Sequence, residues 1–167
     1  MKRIATLFLL SCLWSGMLTA QPTASSYVPA PENLKARQAF SDARFGIFLH
    51  WGLYSMFAQG EWYMQNEGID RHEYAKAMDA FYPHSFNATQ WVKAIKEAGA
   101  RYICFTSRHH EGFSMWDTRC SDYNIMHTPW AQDVVKQLAD ACHEQQIGLH
   151  LYYSHIDWTR DDYPMGR

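Results

Sequence analysis

Three short apolar runs, FGIFLHWG (45–52), RYICFT (101–106) and IGLHLYYS (147–154), each finish in polar or aromatic residues, with helix-patterned segments between them. Runs of this length, rich in branched and aromatic residues and bounded by turn signals, read as strands. The helical segments are long enough to carry the chain back across a sheet. Strand, loop, helix, strand therefore predicts right-handed crossovers and a parallel sheet, an α/β fold with each strand apolar enough to be covered on both faces.

The clearest helix is NATQWVKAIKEAGA, opened by Asn87 with Gln90 three residues on and stopped at Gly99. Trp91, Ile95 and Ala98 line one of its faces. Asn87-Ala88-Thr89 also fits the glycosylation pattern, but a helix cap is the better use of that asparagine. A second helix starts at Asp133 and runs to about Gln145, with Val134, Leu138, Ala141 and Cys142 inward. Residues 32–43 are helical in pattern, 53–70 read as loop, and 71–80 as a short helix.

In parallel α/β sheets, ligands gather where strands end and the following loops begin. Here the strand ends carry His50-Trp51, then Arg108-His109-His110, then His150, Tyr152, Tyr153 and Ser154. One such ending is unremarkable; three in one sheet point to a site. Neutral imidazoles donate one hydrogen bond and accept another, which suits sugar hydroxyls. His109 and His110, being adjacent, are expected to face opposite ways. Trp62 beside Glu61 offers a flat apolar face and a hydroxyl acceptor. Trp51 and Trp116 fit either such a face or a core. Glu111 is expected to cap the turn after it, and Asp157 its own loop. A metal reading would draw on His50, His109, His110, His150 and Glu61, but no His-x-His or HExxH spacing supports it.

The chain is 47% hydrophobic and 16% aromatic, with a formal charge of −2, a balance that excludes disordered and fibrous classes and gives no basic patch for nucleic acid. Lys2-Arg3, the apolar run Ile4–Leu18 and Leu18-Thr19-Ala20 read as a signal peptide over 1–20, too short for a membrane span. Cys12 as a lipoprotein cysteine is the weaker alternative. Either way an exported protein is expected, at a bacterial periplasm or cell surface, with 21–31 a Pro- and Ser-rich mobile leader. Cys104, Cys120 and Cys142 are too scattered for a disulfide framework.

The blocks FGIFLHWGLYS, EWY, RYICFTSRHHEGFSMWD, SDYN and LHLYYSHIDW, in that order, resemble the α-L-fucosidases of glycoside hydrolase family 29. The likeness runs from about Tyr27 to Arg167. It implies a (β/α)8-like TIM barrel and removal of terminal α-L-fucose from glycans by a retaining mechanism, with no metal or other cofactor. It also implies that His50, Glu61, Trp62, His109, His110 and Tyr152 hold the fucose ring, with Trp116 a weaker correspondence.

A retaining glycosidase needs two carboxyl groups about 5–5.5 Å apart. In the family resembled, the nucleophile aspartate follows the fourth strand and the acid/base comes later still. Residues 32–167 are thus expected to form the N-terminal part, about three strands, of an incomplete barrel with no catalytic residue of its own. Asp157 does not fill that role. A complete barrel takes about 250 residues, so residues 1–167 alone are expected to be inactive, with a fucosylated glycan as the partner. Two other readings stay open: a non-catalytic fucose- or glycan-binding module, and a metal-dependent barrel hydrolase.

Overall fold

The computed structural model describes residues 27–163. The signal peptide over 1–20, Cys12 and the first part of the leader lie outside them, as does Arg167. The chain divides into two units, Met1–Gln38 and Ala39–Arg167. In the first, the Arg37 guanidinium sits over the Tyr27 ring, 5.7 Å from its centroid. Helix α1, Pro31–Ala43, crosses the boundary. It begins on the proline, whose fixed φ and missing N–H suit a first helical turn.

In the second unit, β1 (Gly46–Leu49) leads through a 3-10 turn at Leu53–Met56 into two short helices, α2 (Tyr63–Asn66) and α3 (Arg71–Ala75). A 3-10 turn at Lys76–Ala80 precedes α4 (Ala88–Glu97). Then come β2 (Tyr102–Arg108), a 3-10 turn at Ile125–His127, α5 (Val134–Gln145) and β3 (Gly148–Tyr153). The three strands pair in the order β1-β2-β3, all parallel. That is the successive pairing of a barrel wall. β2 runs two residues past the end read from the sequence. The stretch 53–70 is more ordered than a loop, because Tyr54 and Met64 are apolar enough to be drawn into the core.

Both main helices start where their sequence demands. Asn87 Oδ1 accepts the N–H of Gln90 at 2.9 Å, and Asp133 Oδ1 that of Lys136 at 2.7 Å. Such caps stabilise a helix by about 1 kcal/mol each. α4 buries Ala88 and Val92, and α5 buries Val134, Leu138, Ala141 and Cys142 against Ile103 and Phe105 of β2. Each fully buried Val or Leu contributes about 1.5–3 kcal/mol. The two helices are joined by Lys96 Nζ donating to the Gln145 carbonyl at 2.7 Å and Gln145 Nε2 to that of Thr89 at 3.0 Å.

The register sets Phe48, Cys104 and His150 side by side on one face, and Ile47, Ile103 and Leu149 on the other. The expectation that every strand is covered on both faces does not hold. β2 buries Ile103 and Phe105 on one face but leaves Tyr102 and Cys104 only partly buried on the other, and Phe48 is 49% exposed and Leu151 51%. Cys104, Cys120 and Cys142 are all free thiols. No helix among the described residues is long and apolar enough to cross a membrane.

Candidate functional site

The site is built at the carboxyl ends of the strands, and Thr106 of β2 fixes its first wall. Its hydroxyl accepts the Trp51 N–H and lies 3.0 Å from the Tyr54 hydroxyl, clamping the chain as it leaves β1. His50 is thereby held just above Phe48, their rings stacked at 4.7 Å. Trp51 turns the other way, into a cluster with Phe81, Phe86, Trp91 and Phe105. Of its two readings, the core one is correct.

β2 ends at Arg108, so His109 and His110 belong to the turn that follows it. Strand alternation does not reach them. Their rings lie 4.2 Å apart rather than on opposite faces. His109 meets His50 at 5.6 Å, Tyr54 at 5.7 Å and the stacked ring of Tyr152 at 5.6 Å. His110 meets Trp62 and Trp158, each at 5.2 Å. The turn itself requires Gly112, which has φ +78°. A Cβ there would come within 2.6 Å of Thr159 Cγ2 and 2.8 Å of Asp157 Oδ1.

Hydrogen bonding decides the tautomer of His110. Ser154 Oγ donates to the Ile156 carbonyl at 2.7 Å, so its proton is committed. The 2.5 Å contact with His110 Nδ1 must then be donated by the imidazole. Nδ1 carries the proton, and Nε2 is left as an acceptor. The backbone N–H of Trp158 holds the His110 carbonyl at 2.8 Å.

Burial pushes His109 down to about 4, helped by the neighbouring His110 and His50, while Glu61 opposes. Burial also lowers His110, again against Glu61. Both imidazoles are therefore neutral at pH 7. His109 Nδ1 is buried without a hydrogen-bond partner. Ligand atoms of His50, Glu61 and His109 all lie within 4.8 Å of one another. No short motif in the sequence announces that grouping, because the three come from separate loops.

Glu111 does not cap the turn after it. Fully buried, it reaches back to accept the Leu53 N–H at 3.1 Å and the Tyr74 hydroxyl at 2.6 Å. It thus ties the β2 turn to the segment that carries Glu61 and Trp62. Gly52 makes room for it, since a Cβ there would stand 2.7 Å from Glu111 Oε1. Asp157 does cap its own loop, accepting from the Thr159 N–H at 3.0 Å and from its hydroxyl, and it also pairs with Arg108 at 2.6 Å.

Of the residues singled out in the sequence, His50, Glu61, Trp62, His109, His110 and Tyr152 come together. His150 does not join them. It lies level with Cys104 in mid-strand and packs on Tyr102 and Phe40. Trp116 stands apart, in a cleft with Tyr153, Arg108 and Asp157. Sequence reasoning missed Trp158, buried behind Trp62 with ring centroids 5.3 Å apart, and Tyr54, set against His109. Only their nearness to the strand-end motifs could have signalled them.

The α-L-fucosidase family profile matches residues 16–167. Human plasma α-L-fucosidase is 36% identical over 159 residues, covering 81% of this chain and 34% of its own length. A family 29 α-L-fucosidase from Bacteroides thetaiotaomicron, trapped as a covalent intermediate with 2-fluoro-fucosyl fluoride, superposes with a TM-score of 0.75 at 34% identity. That match covers 84% of this chain and 34% of that one. The Lactobacillus casei enzyme in complex with α-L-fucose gives 0.70 at 34% identity, over 74% and 42% of the two chains. The chain spans about a third of the length of the human relative. With the parallel strand order and the ring of strand-end residues, these likenesses establish that the chain belongs to the α-L-fucosidase family, glycoside hydrolase family 29, and forms part of its TIM-barrel catalytic domain.

Proposed function

We propose that this chain supplies the fucose-holding wall of an α-L-fucosidase active site, and that the whole barrel hydrolyses terminal α-L-fucosides by a retaining mechanism. The observation that carries the reading is the convergence of His50, Glu61 and His109 within 4.8 Å, flanked by Tyr152 and Trp62. A deoxyhexose has hydroxyls that both donate and accept, and one apolar edge. Neutral His109 and His110 and the Glu61 carboxyl match the first need, and the half-exposed Trp62 ring matches the second. Asp157 is engaged by Arg108 and Thr159, so it serves as a brace, and the reaction's two carboxyl groups come from elsewhere in the barrel. The same reading includes export, with 1–20 as signal peptide, and a fucosylated glycan as substrate.

A second reading rests on the same three residues. Two imidazoles and a carboxyl group are a donor set that zinc accepts. The test separates the two. Methyl α-L-fucoside titrated into the purified chain should perturb the imidazole resonances of His50, His109 and His110, and His109→Ala should abolish binding. Stoichiometric zinc uptake with no response to the fucoside would replace the sugar reading with the metal one.

A further inference from the structure

The convergence of His50, Glu61 and His109 has a chemistry that sugar binding does not exhaust. Their ligand atoms lie within 4.8 Å of one another, with His109 buried, Glu61 half-buried and His50 exposed. We propose that these three side chains also form a reversible site for a divalent transition-metal ion, zinc above all, and that metal and fucoside exclude one another. The inference rests on the fucose-wall reading above.

Three observations carry it. The first is distance. An ion at the centre of a triangle of that size lies about 2.8 Å or less from each donor, and zinc bonds to nitrogen and oxygen are about 2.0–2.2 Å long. An inward shift of less than about 1 Å at each donor closes the shell. His109 supplies the fixed corner, since the turn at Gly112 and the Trp158 N–H on the His110 carbonyl hold its backbone. His50 and Glu61, nearer the solvent, are the two able to move.

The second is which groups are uncommitted. His110 gives its Nδ1–H to Ser154, Glu111 accepts from Leu53 and Tyr74, and Asp157 accepts from Arg108 and Thr159. His109 Nδ1, by contrast, is buried with no hydrogen-bond partner. The fold sets no tautomer at that atom, so the ring can present the lone pair that a metal needs.

The third is donor type. Two imidazoles and one carboxyl group suit zinc, copper or nickel, whereas calcium and magnesium prefer shells of oxygen alone. Three protein donors leave a tetrahedral ion one open position, unlike the closed shell of a structural zinc site, so the ion can exchange. A lone pair that coordinates a metal cannot also accept a proton from a sugar hydroxyl. The two occupants therefore compete for the same atoms.

The test is calorimetry on the purified, metal-stripped chain, with zinc chloride, calcium chloride and methyl α-L-fucoside as probes. Zinc should bind one to one where calcium at the same concentration does not. Saturating methyl fucoside should weaken zinc binding at least tenfold, and zinc should weaken the fucoside by the same factor, because the coupling is reciprocal. Glu61→Gln should lower zinc affinity at least tenfold with circular dichroism unchanged, and His50→Ala is the second variant should the first fail to fold. Cys120→Ser removes an exposed free thiol and should leave zinc uptake unchanged. Zinc that the fucoside does not displace, zinc uptake that survives both Glu61→Gln and His50→Ala, or uptake lost in Cys120→Ser would each overturn the shared site. A fucoside response with no zinc uptake would overturn it and leave the fucose wall standing. Zinc uptake with no response to the fucoside would overturn the competition together with the fucose reading.

Discussion

The Tyr74 hydroxyl donates to Glu111 Oε2 across 2.6 Å, joining α3 to the turn that holds His109 and His110. Burial drives the Glu111 carboxyl up to about 7 from an ordinary 4.5, against the Tyr74 and Leu53 hydrogen bonds that favour its ionised form. A carboxyl raised on folding contributes stability that is complete below about pH 4.5 and is lost as the pH climbs to 7 and beyond. At roughly 1.4 kcal/mol per pH unit, the loss is about 3 kcal/mol. Glu111→Gln keeps an acceptor for Leu53 and cannot ionise. Denaturant unfolding from pH 4.5 to 8 should show a falling curve for the parent and a flatter one for the variant. Parallel curves would show that Glu111 does not titrate in this range.

His109 acts with the opposite sign. Its folded value of about 4 lies below the ordinary 6.5, so the stability it contributes is complete above 6.5 and is lost as the pH falls towards 4. His109→Gln should lift the acid side of the same curve and leave the alkaline side alone. It should also weaken fucoside binding at neutral pH, where the imidazole is uncharged.

Much of this arrangement was legible in the sequence. The strand ends carried the chemistry, and Asn87 and Asp133 announced their helices, because local rules govern alternation, capping and turn residues. Three features were not legible, each for the same reason. Glu111 reaches Leu53 across 58 residues, His110 takes its tautomer from Ser154 across 44, and His150 is set level with Cys104 in mid-strand, short of the strand ends, by its register with β2. Pairing between distant segments leaves no periodicity in either one. The adjacency of His109 and His110 misled, because period-two alternation stops where the strand stops, at Arg108.

Ser154→Ala tests whether His110 needs a fixed tautomer. Without Ser154 Oγ to receive Nδ1–H at 2.5 Å, the imidazole samples both neutral forms and Nε2 is an acceptor only part of the time. Methyl fucoside affinity should fall about three- to tenfold, with a stability loss of about 1 kcal/mol for the missing hydrogen bond. Nitrogen chemical shifts of His110 should move from the Nδ1–H pattern to a mixed one. Unchanged shifts would mean that another group sets the tautomer.

Gly112→Ala puts a side chain where the backbone has φ +78° and where Thr159 Cγ2 would stand 2.6 Å away. The backbone conformation alone costs about 1–3 kcal/mol, and the clash adds to it because the loop 157–159 must shift. The melting temperature should drop by several degrees and fucoside binding should weaken, since the same turn positions His109 and His110. Thr159→Ser opens space at that methyl. The double variant should regain part of the lost stability, though not the part due to φ. If it regained all of it, the backbone would not be strained.

Asp157 braces this turn from the other side, and its removal should show how. Burial raises its carboxyl, but the Thr159 hydroxyl, Arg108 and the Thr159 N–H outweigh that and hold it below the usual carboxylate range. Its contribution is therefore present above an ordinary value of 3.8 and is lost as the pH falls through its lowered folded value. Asp157→Asn leaves the Arg108 guanidinium mostly buried and unpaired, which for such pairs costs about 3 kcal/mol. Replacing both partners, Arg108→Met with Asp157→Leu, removes the stranded charge and should recover most of that stability. Arg108 Nε also holds the Gly112 carbonyl at 3.1 Å, so the double variant should still bind methyl fucoside less tightly than the parent. Stability restored without affinity would separate the pair's electrostatic role from its part in holding the turn. A double variant no more stable than Asp157→Asn would show that the Thr159 contacts of Asp157, and not its charge, are what the fold depends on.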